Sequence, residues 1–276
     1  MTQSSSEMDV KIESLTQRHM VEEAFHDKKA QRTAKPENRP SARREVYPEW
    51  MDDEHWHILL SAAGSLSGKR VLDFGCGPGH SSRAYARQGA TRVDGFDIAG
   101  ENIRIAESAT KREGLGDRVF FRRLAAEEID YPDESFDIVI GKAILHHTDL
   151  GKTAWQLHRV LRPGGAAFFL EPLAHNPLLN LYRRFTPWRR TPTEKPLDVG
   201  DLDKFRMYFS VSYEGFYFFT LLAHCLQFVS GSRTVFTATR KVLRRMEIPV
   251  LRRFPFLQRY CWSALIVLRK PTGGAS

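Results

Sequence analysis

The spacing of hydrophobic residues along the chain changes near residue 69. Upstream, apolar residues at helical spacing predict helices over about 12–30 and 48–63, with a linker rich in Pro, Lys and Arg over 32–45. Downstream, short apolar runs alternate with amphipathic segments, which is typical of a parallel sheet with flanking helices. The predicted strands lie at 70–74, 92–97, 118–122, 136–141 and 166–171, and the helices between them end near residues 90, 113 and 161.

The pattern becomes less regular after a sharp turn expected at 162–165 and the strand that follows it. Segments 208–219 and 260–269 have strand character, and a basic helix over about 235–246 lies between them. We therefore expect a Rossmann-like α/β core: a seven-stranded, mostly parallel sheet with an antiparallel edge strand. The expected divisions are a tail and helical cap (1–66), the core (67–219), a helical insertion (220–259), and the last core strand with a tail (260–276).

The composition of the 276-residue chain adds two constraints. Three scattered cysteines form neither a disulfide framework nor a metal knuckle, and the polar N-terminus lacks a secretory signal, so we expect a reduced, cytoplasmic setting. The net charge of +8 and a pI near 9.5 favour an anionic partner such as nucleic acid, a membrane surface or a phosphorylated substrate. A simple solvated surface is the plainer interpretation.

The strongest local signal is the segment VLDFGCGPGH at 71–80, a strand that runs into a glycine-rich turn. A dinucleotide fingerprint would need a third glycine where His80 stands, so that interpretation fails. The Asp73 carboxylate would repel a pyrophosphate but suits a ligand that carries an ammonium and a sulfonium. Asp97 ends the next strand, where an acidic side chain can accept from both ribose hydroxyls. These features favour an adenosyl ligand without phosphates, such as S-adenosyl-L-methionine.

Four segments in order, VLDFGCGPGH, the strand end at Asp97, PDESFDIVIGKAILHH and LRPGG, resemble the motifs of class I S-adenosylmethionine-dependent methyltransferases. The branch with ubiquinone, menaquinone, sterol and natural-product methyltransferases is the most similar, over about residues 69–172. The resemblance implies that the loop glycines back the methionine and ribose portions, that Asp97 holds the ribose, and that Lys142 passes near the methionine amino group. It also implies that the adenine is flanked by the loop that contains Ala126 and Glu127. Relatives often carry Asp where this chain has Ala125. The expected cofactor-binding residues are Asp73, Gly75, Gly77, Gly79, Asp97, Ala126, Glu127 and Lys142.

Candidate catalytic residues follow the fourth and fifth core strands. An acceptor hydroxyl or carbon must lose a proton, and His147, His146 and Glu171 are placed to accept it. We expect His147 to lie further out toward the cleft than His146, and His26 to be a surface residue. A histidine packed beneath a helix, or a capping carboxylate, is the alternative interpretation of each candidate. We expect no metal, because no ligand set is clustered along the sequence.

The expected activity is methyl transfer to a small, hydrophobic or lipid-like acceptor, with oxygen, nitrogen and carbon all open. Grouped aromatic residues suit an apolar acceptor: Tyr47, Trp50, Tyr182, Trp188, Phe209, Phe216, Tyr217 and Phe218. A nucleic-acid methyltransferase is one alternative, but the Asp/Asn-Pro-Pro-aromatic segment of base-methylating enzymes is absent after the fourth strand, so no nucleic-acid partner is expected. The second alternative is a non-catalytic, membrane-peripheral protein in which segment 237–246 lies on an anionic bilayer. A homo-oligomer also stays open.

Overall fold

The protein's structure is a computed structural model that describes residues 15–34, 49–185, 195–220, 222–223, 226 and 233–273. Nearly all of the predicted linker over 32–45 lies outside these ranges. The helices are α1 (Leu15–Ala34), α2 (Glu49–Ala63), α3 (His80–Arg87), α4 (Gly100–Arg112), α5 (Leu150–Val160), α6 (Pro177–Phe185), α7 (Asp203–Arg206) and α8 (Arg233–Arg253). The strands are β1 (Arg70–Phe74), β2 (Arg92–Asp97), β3 (Val119–Arg123), β4 (Phe136–Lys142), β5 (Leu161–Pro172), β6 (Ser210–Phe216) and β7 (Ser263–Arg269). Short 3₁₀ turns lie at Leu145–His147, Val199–Leu202 and Pro255–Tyr260.

The seven strands form one sheet in the order β3-β2-β1-β4-β5-β7-β6. Strands β1 to β5 pair in parallel, and β7 pairs antiparallel with both β5 and β6. This confirms the predicted mostly parallel, Rossmann-like sheet with an antiparallel strand toward one edge. The strand order reverses between β1 and β4, and ligands in such sheets bind at the carboxyl ends of the strands at that point.

Alternation along β1 sends its side chains into two separate cores. Leu72 and Phe74 join the cluster beneath α5 and α7, whereas Val71 joins the cluster that packs against α2 and α3. Residues of opposite parity face opposite sides of a strand, so Asp73 shares the face of Val71 and points toward α3. The sheet is therefore covered on both faces, and its carboxyl edge is left for the site.

The predicted turn at 162–165 lies inside a strand. β5 begins at Leu161, directly after α5, and its pairing with β4 shifts register between Phe136 and Ile138. Gly164, at φ 76°, supports this irregularity, because glycine adopts a left-handed backbone without a steric penalty. The predicted turn before the strand is therefore wrong: residues 162–165 form a bulge within β5.

The end of β6 is determined by a buried carboxylate on α8. Glu247 accepts from the backbone N–H groups of Tyr217, Phe219 and Thr220 at 2.9–3.1 Å. These amides therefore leave the ladder, and β6 stops at Phe216 rather than at 219 as predicted. The basic helix is also longer than predicted, since α8 continues through Pro249 to Arg253.

Three of the aromatic residues expected around an acceptor belong to the hydrophobic core. Phe209, Phe216 and Tyr217 are at most 5% exposed and pack in the clusters that hold the sheet and helices together. Burying them stabilises the fold, because large aromatic side chains remove the most apolar area from water. Phe218 is half-buried beside the small third cluster. Tyr47, Trp188 and the side chains of Trp50 and Tyr182 lie outside the described residues.

Candidate active site

The three glycines between β1 and α3 meet different steric demands. Gly75, Gly77 and Gly79 have φ values of 74°, 51° and 73°. A Cβ at Gly75 would lie 2.9 Å from Ile144 Cγ1, and one at Gly79 would lie 2.7 Å from Phe121 Cζ. A Cβ at Gly77 would meet nothing within 4 Å. Gly75 and Gly79 are thus required for packing, and Gly77 presents the open face of the loop.

Asp97, at the end of β2, joins the glycine loop to α4. Its Oδ2 accepts from Gly77 N–H at 2.9 Å, and its Oδ1 accepts from Ala99 N–H at 2.9 Å and from Asn102 Nδ2 at 3.2 Å. The half-buried carboxylate therefore lies beside the open face of Gly77. This is the register that a ribose-binding residue after the second strand requires.

Asp73 is a buried carboxyl beneath the same loop. Its Oδ2 accepts from Ser82 Oγ at 2.5 Å, and the residue is 4% exposed. Burial raises the pKa of Asp73 to about 7; the Ser82 hydrogen bond opposes the shift, and the charge of Asp97 adds to it. A cation placed beside this carboxyl would favour its ionised form.

Glu171, the last acidic residue of β5, organises the turn after β4. Its Oε1 accepts from the N–H groups of Ile144 and Leu145, both at 2.9 Å, and its Oε2 lies 2.7 Å from His146 Nδ1. Ala143 is held at φ 53°, a left-handed conformation that is costly for a residue with a Cβ. Because Ile144 also packs on Gly75, this turn and the glycine loop are in direct contact.

Helix α1 lies along the carboxyl edge of the sheet. Asp27 Oδ1 accepts from Glu101 N–H at 2.9 Å at the start of α4, and Glu23 pairs with Arg123 at the end of β3. Nearer the centre of the sheet, His19 Nε2 lies 3.1 Å from Glu127 Oε2. The helix thus covers the strand ends through polar contacts.

A group of side chains joins α1 to the 3₁₀ turn after β4. His147 Nδ1 lies 3.1 Å from Glu22 Oε2, and His26 Nε2 lies 3.6 Å from the same oxygen. Burial lowers the pKa of His147, although the Glu22 carboxylate partly opposes this. His147 is therefore covered by α1, and His26 is half-buried in this group rather than a surface residue as expected. Sequence reasoning missed Glu22; its only signal was helical spacing with His26.

The residues expected around the adenine have structural partners. Glu127 Oε1 accepts from Asp149 N–H at 2.6 Å, while Oε2 faces His19. The side chain of Ala126 is buried in the core cluster, so only its backbone could border a ligand. Lys142, expected near the methionine amino group rather than the adenine, is half-buried where β4 ends and pairs in the ladder with Leu170. The carboxylate of Glu127 thus ties the β3 loop to α5 and α1.

Comparison with known proteins identifies the domain that this geometry forms. Residues 71–165, from β1 to the bulge in β5, match the family model described as a methyltransferase domain. Residues 71–165 of this chain form a methyltransferase domain. This confirms the resemblance on which the cofactor-binding residues were assigned.

Curated relatives are similar over the same region. A ubiquinone biosynthesis O-methyltransferase from Rhizobium leguminosarum bv. trifolii (strain WSM2304) is 40% identical over 108 residues, which are 39% of this chain and 42% of that protein. A 27-O-demethylrifamycin SV methyltransferase from Amycolatopsis mediterranei (strain S699) is 38% identical over 100 residues, 36% of this chain and 37% of that protein. The chain thus spans about two-fifths of the length of these curated relatives.

A solved structure extends the likeness of fold to most of the chain. The geranyl diphosphate C-methyltransferase from Streptomyces coelicolor A3(2) has a TM-score of 0.65, covers 94% of this chain and 100% of that chain, and is 11% identical. At this identity the likeness shows only that the two chains share a fold.

The different demands on the loop glycines predict different effects of alanine. Gly77→Ala should weaken binding of S-adenosylhomocysteine at least about tenfold, with about 1 kcal/mol of backbone strain. Gly79→Ala should lower the free energy of unfolding by about 3 kcal/mol, because a methyl group collides with Phe121 and Ala106. Calorimetry and denaturant titration measure the two quantities, and Gly116→Ala, at an exposed glycine with open space, is the control. Equal loss of affinity and stability in both loop variants would contradict this division.

The raised pKa of Asp73 predicts pH-dependent cofactor binding. Below pH 7 the carboxyl is mostly protonated in the free protein, and a bound ammonium must expel that proton. Affinity for S-adenosylhomocysteine should therefore fall by up to about tenfold per pH unit as the pH drops from 7 to 5. Calorimetry in two buffers of different ionisation enthalpy measures the released proton. Asp73→Asn should bind more weakly, with a shallower pH dependence; an unchanged slope in this variant would exclude Asp73 as its source.

Proposed function

We propose that this methyltransferase transfers the methyl group of S-adenosylmethionine to a hydroxyl group of a small organic acceptor. The observation that carries the proposal is the buried Glu171–His146 pair, which lies in a turn packed against the glycine loop. The glycine loop suits the methyl donor, and the Glu171–His146 pair supplies a proton acceptor.

The residues around the glycine loop fit the methyl donor. The open face of Gly77 accommodates a ligand, Asp97 lies beside it for the ribose hydroxyls, and the buried Asp73 favours a cationic amino group. A pyrophosphate would be repelled by both carboxylates. When bound, the donor supplies a sulfonium-activated methyl group, so the protein mainly has to orient the two reactants in line.

The Glu171–His146 pair favours an acceptor that must lose a proton. The carboxylate accepts from Nδ1–H of His146, which leaves the lone pair of the imidazole on Nε2. A neutral amine needs no base before it attacks, whereas a hydroxyl is a weak nucleophile until its proton is removed. His146 is thus the proposed base, and Glu171 is its positioning residue. The sequence alone favours His147 over His146 as the base. The relative named as an O-methyltransferase supports oxygen as the acceptor atom.

A cavity of about 620 Å³ beyond the end of β5 is a candidate acceptor site. It begins at Ala174, just beyond the end of β5, and its wall residue Lys195 donates its backbone N–H to His146 O at 3.4 Å. Arg183, Arg184 and Asp198 also line it. This lining supports an acceptor with a polar or anionic end.

The proposed chemistry predicts a selective effect of Glu171→Gln. The amide oxygen can keep the two backbone hydrogen bonds, but the amide nitrogen would face Nδ1 and place the imidazole proton on Nε2. Turnover should fall at least about 100-fold, while affinity for S-adenosylhomocysteine changes less than about twofold. Transfer of labelled methyl to a panel of quinols and other hydroxylated aromatic compounds measures turnover.

Glu128→Gln, at the exposed residue beside Glu127, serves as the control for this experiment. Full turnover by Glu171→Gln would refute the role of the pair. Labelling of amines with no labelling of hydroxyl compounds would refute oxygen as the acceptor. A protein that binds no S-adenosylhomocysteine would refute the proposed function itself.

A surface on α8 supports an additional role at a membrane. Its inward arginines are paired: Arg240 contacts Glu54 of α2, and Arg244 lies 3.8 Å from Glu247. Its outward face leaves Val242 and Met246 more than half exposed between basic residues, Lys241, Arg245, Arg252 and Arg253. No helix in the described part of the chain is both long and apolar enough to cross a bilayer. We propose that this outward face of α8 contacts anionic lipid headgroups, which would bring the site to a lipid-like acceptor.

Vesicle co-sedimentation tests the membrane proposal. The protein should sediment with vesicles of phosphatidylcholine and phosphatidylserine at low salt, and not with phosphatidylcholine alone. Lys241→Glu with Arg245→Glu should abolish this binding, whereas Lys111→Glu with Lys152→Glu, the same charge change at exposed residues elsewhere, should weaken it much less. Absence of wild-type binding to the anionic vesicles, or equal loss in both double variants, would overturn the proposal.

A further inference from the structure

The group formed by Glu22, His26 and His147 has the composition of a metal site. Glu22 and His26 are one helical turn apart on α1, so they project from the same face of the helix. His147 comes from the 3₁₀ turn after β4. One ligand atom from each residue lies within 4.8 Å of the other two. Two imidazoles and one carboxylate from separate elements therefore converge on a single point.

The distances in this group match those between ligands of one ion. Zinc lies about 2.0–2.1 Å from nitrogen and oxygen ligands, so tetrahedral geometry separates neighbouring ligand atoms by about 3.3 Å. The Glu22 oxygen is 3.1 Å from His147 Nδ1 and 3.6 Å from His26 Nε2. These two separations bracket the expected value, and the third, between the two histidine nitrogens, is at most 4.8 Å, so an ion could enter after adjustment of the side chains.

The surroundings favour a cation at this point. Glu22 is only 4% exposed, and a carboxylate removed from water needs compensating charge or hydrogen bonds. Two histidines can provide part of that compensation as hydrogen-bond donors. A divalent ion provides more, and it uses the same nitrogen atoms as ligands.

A second histidine on α1 offers an internal comparison. His19 lies 3.1 Å from Glu127, which is also a buried carboxylate, but the described residues bring no third ligand to that pair. The pair at His19 has the form of a simple bridge from helix to loop. The group at Glu22 differs by its additional imidazole.

We propose that Glu22, His26 and His147 bind one divalent transition-metal ion, with zinc as the representative. The ion would join α1 to the turn after β4, beside the proposed base, since the rings of His146 and His147 are 4.1 Å apart. Three protein ligands leave a coordination position for water or for an oxygen of the acceptor. Binding of the ion does not depend on the proposed methyl transfer.

Metal titration of protein without an affinity tag tests this inference. After removal of metal with a chelator, calorimetry should show one zinc ion per chain, and cobalt(II) should give the visible absorption bands of a four-coordinate site. Glu22→Gln and His26→Ala should each weaken zinc binding at least about tenfold. His19→Ala, which removes a histidine from the same helix, should bind zinc as the wild type does. Zinc should raise the melting temperature of the wild type but not of Glu22→Gln.

Binding of S-adenosylhomocysteine by the same variants separates the outcomes. A variant that still binds it is folded, so its loss of zinc binding is specific. Absence of stoichiometric zinc binding by wild type, or wild-type affinity in both ligand variants, would overturn the metal site and leave the proposed function untouched. Zinc binding without binding of S-adenosylhomocysteine would instead contradict the methyltransferase proposal alone.

Discussion

The site depends on one buried carboxylate, Glu171, at the end of a central strand. A charge with no exposure to water is tolerated only where hydrogen bonds replace its hydration. Two backbone amides and one imidazole provide them here, and each partner is thereby held in place. The turn at Ala143 can keep its left-handed conformation because these bonds compensate for the strain. Through Ile144, the same turn defines one wall of the glycine loop.

The same principle operates along the whole carboxyl edge of the sheet. Asp73, Asp97 and Glu127 are buried or half-buried, and each accepts hydrogen bonds from a neighbouring loop or helix. The edge therefore collects negative charge inside a protein whose net charge is +8. A cationic ligand gains most from this interior, because the attraction is stronger where water is scarce. The methyl donor and the proposed metal ion are both cations.

Among the described residues, polar contacts attach helix α1 to this edge, and no α1 side chain belongs to the hydrophobic clusters of the sheet. Its partners are Glu127, His147, Arg123 and the start of α4. Polar contacts contribute less to stability than apolar burial does, so we expect this helix to detach at a lower free-energy cost than the strands of the sheet. An ion at Glu22 would add a strong link at the point where α1 meets the proposed base.

Local sequence patterns predicted the succession of strands along the chain, the glycine loop, and the acidic residues at the ends of β1, β2 and β5. These features are local: apolar periodicity, a turn that needs positive φ, and a residue that follows a strand. The tertiary structure decided which atoms meet. It assigned His146 rather than His147 to Glu171, distinguished Gly77 from Gly75 and Gly79, and brought Glu22 to His147. Such contacts join residues that are distant in the chain, and local periodicity carries no information about them, because they depend on how the cap helix and the loops pack against the sheet.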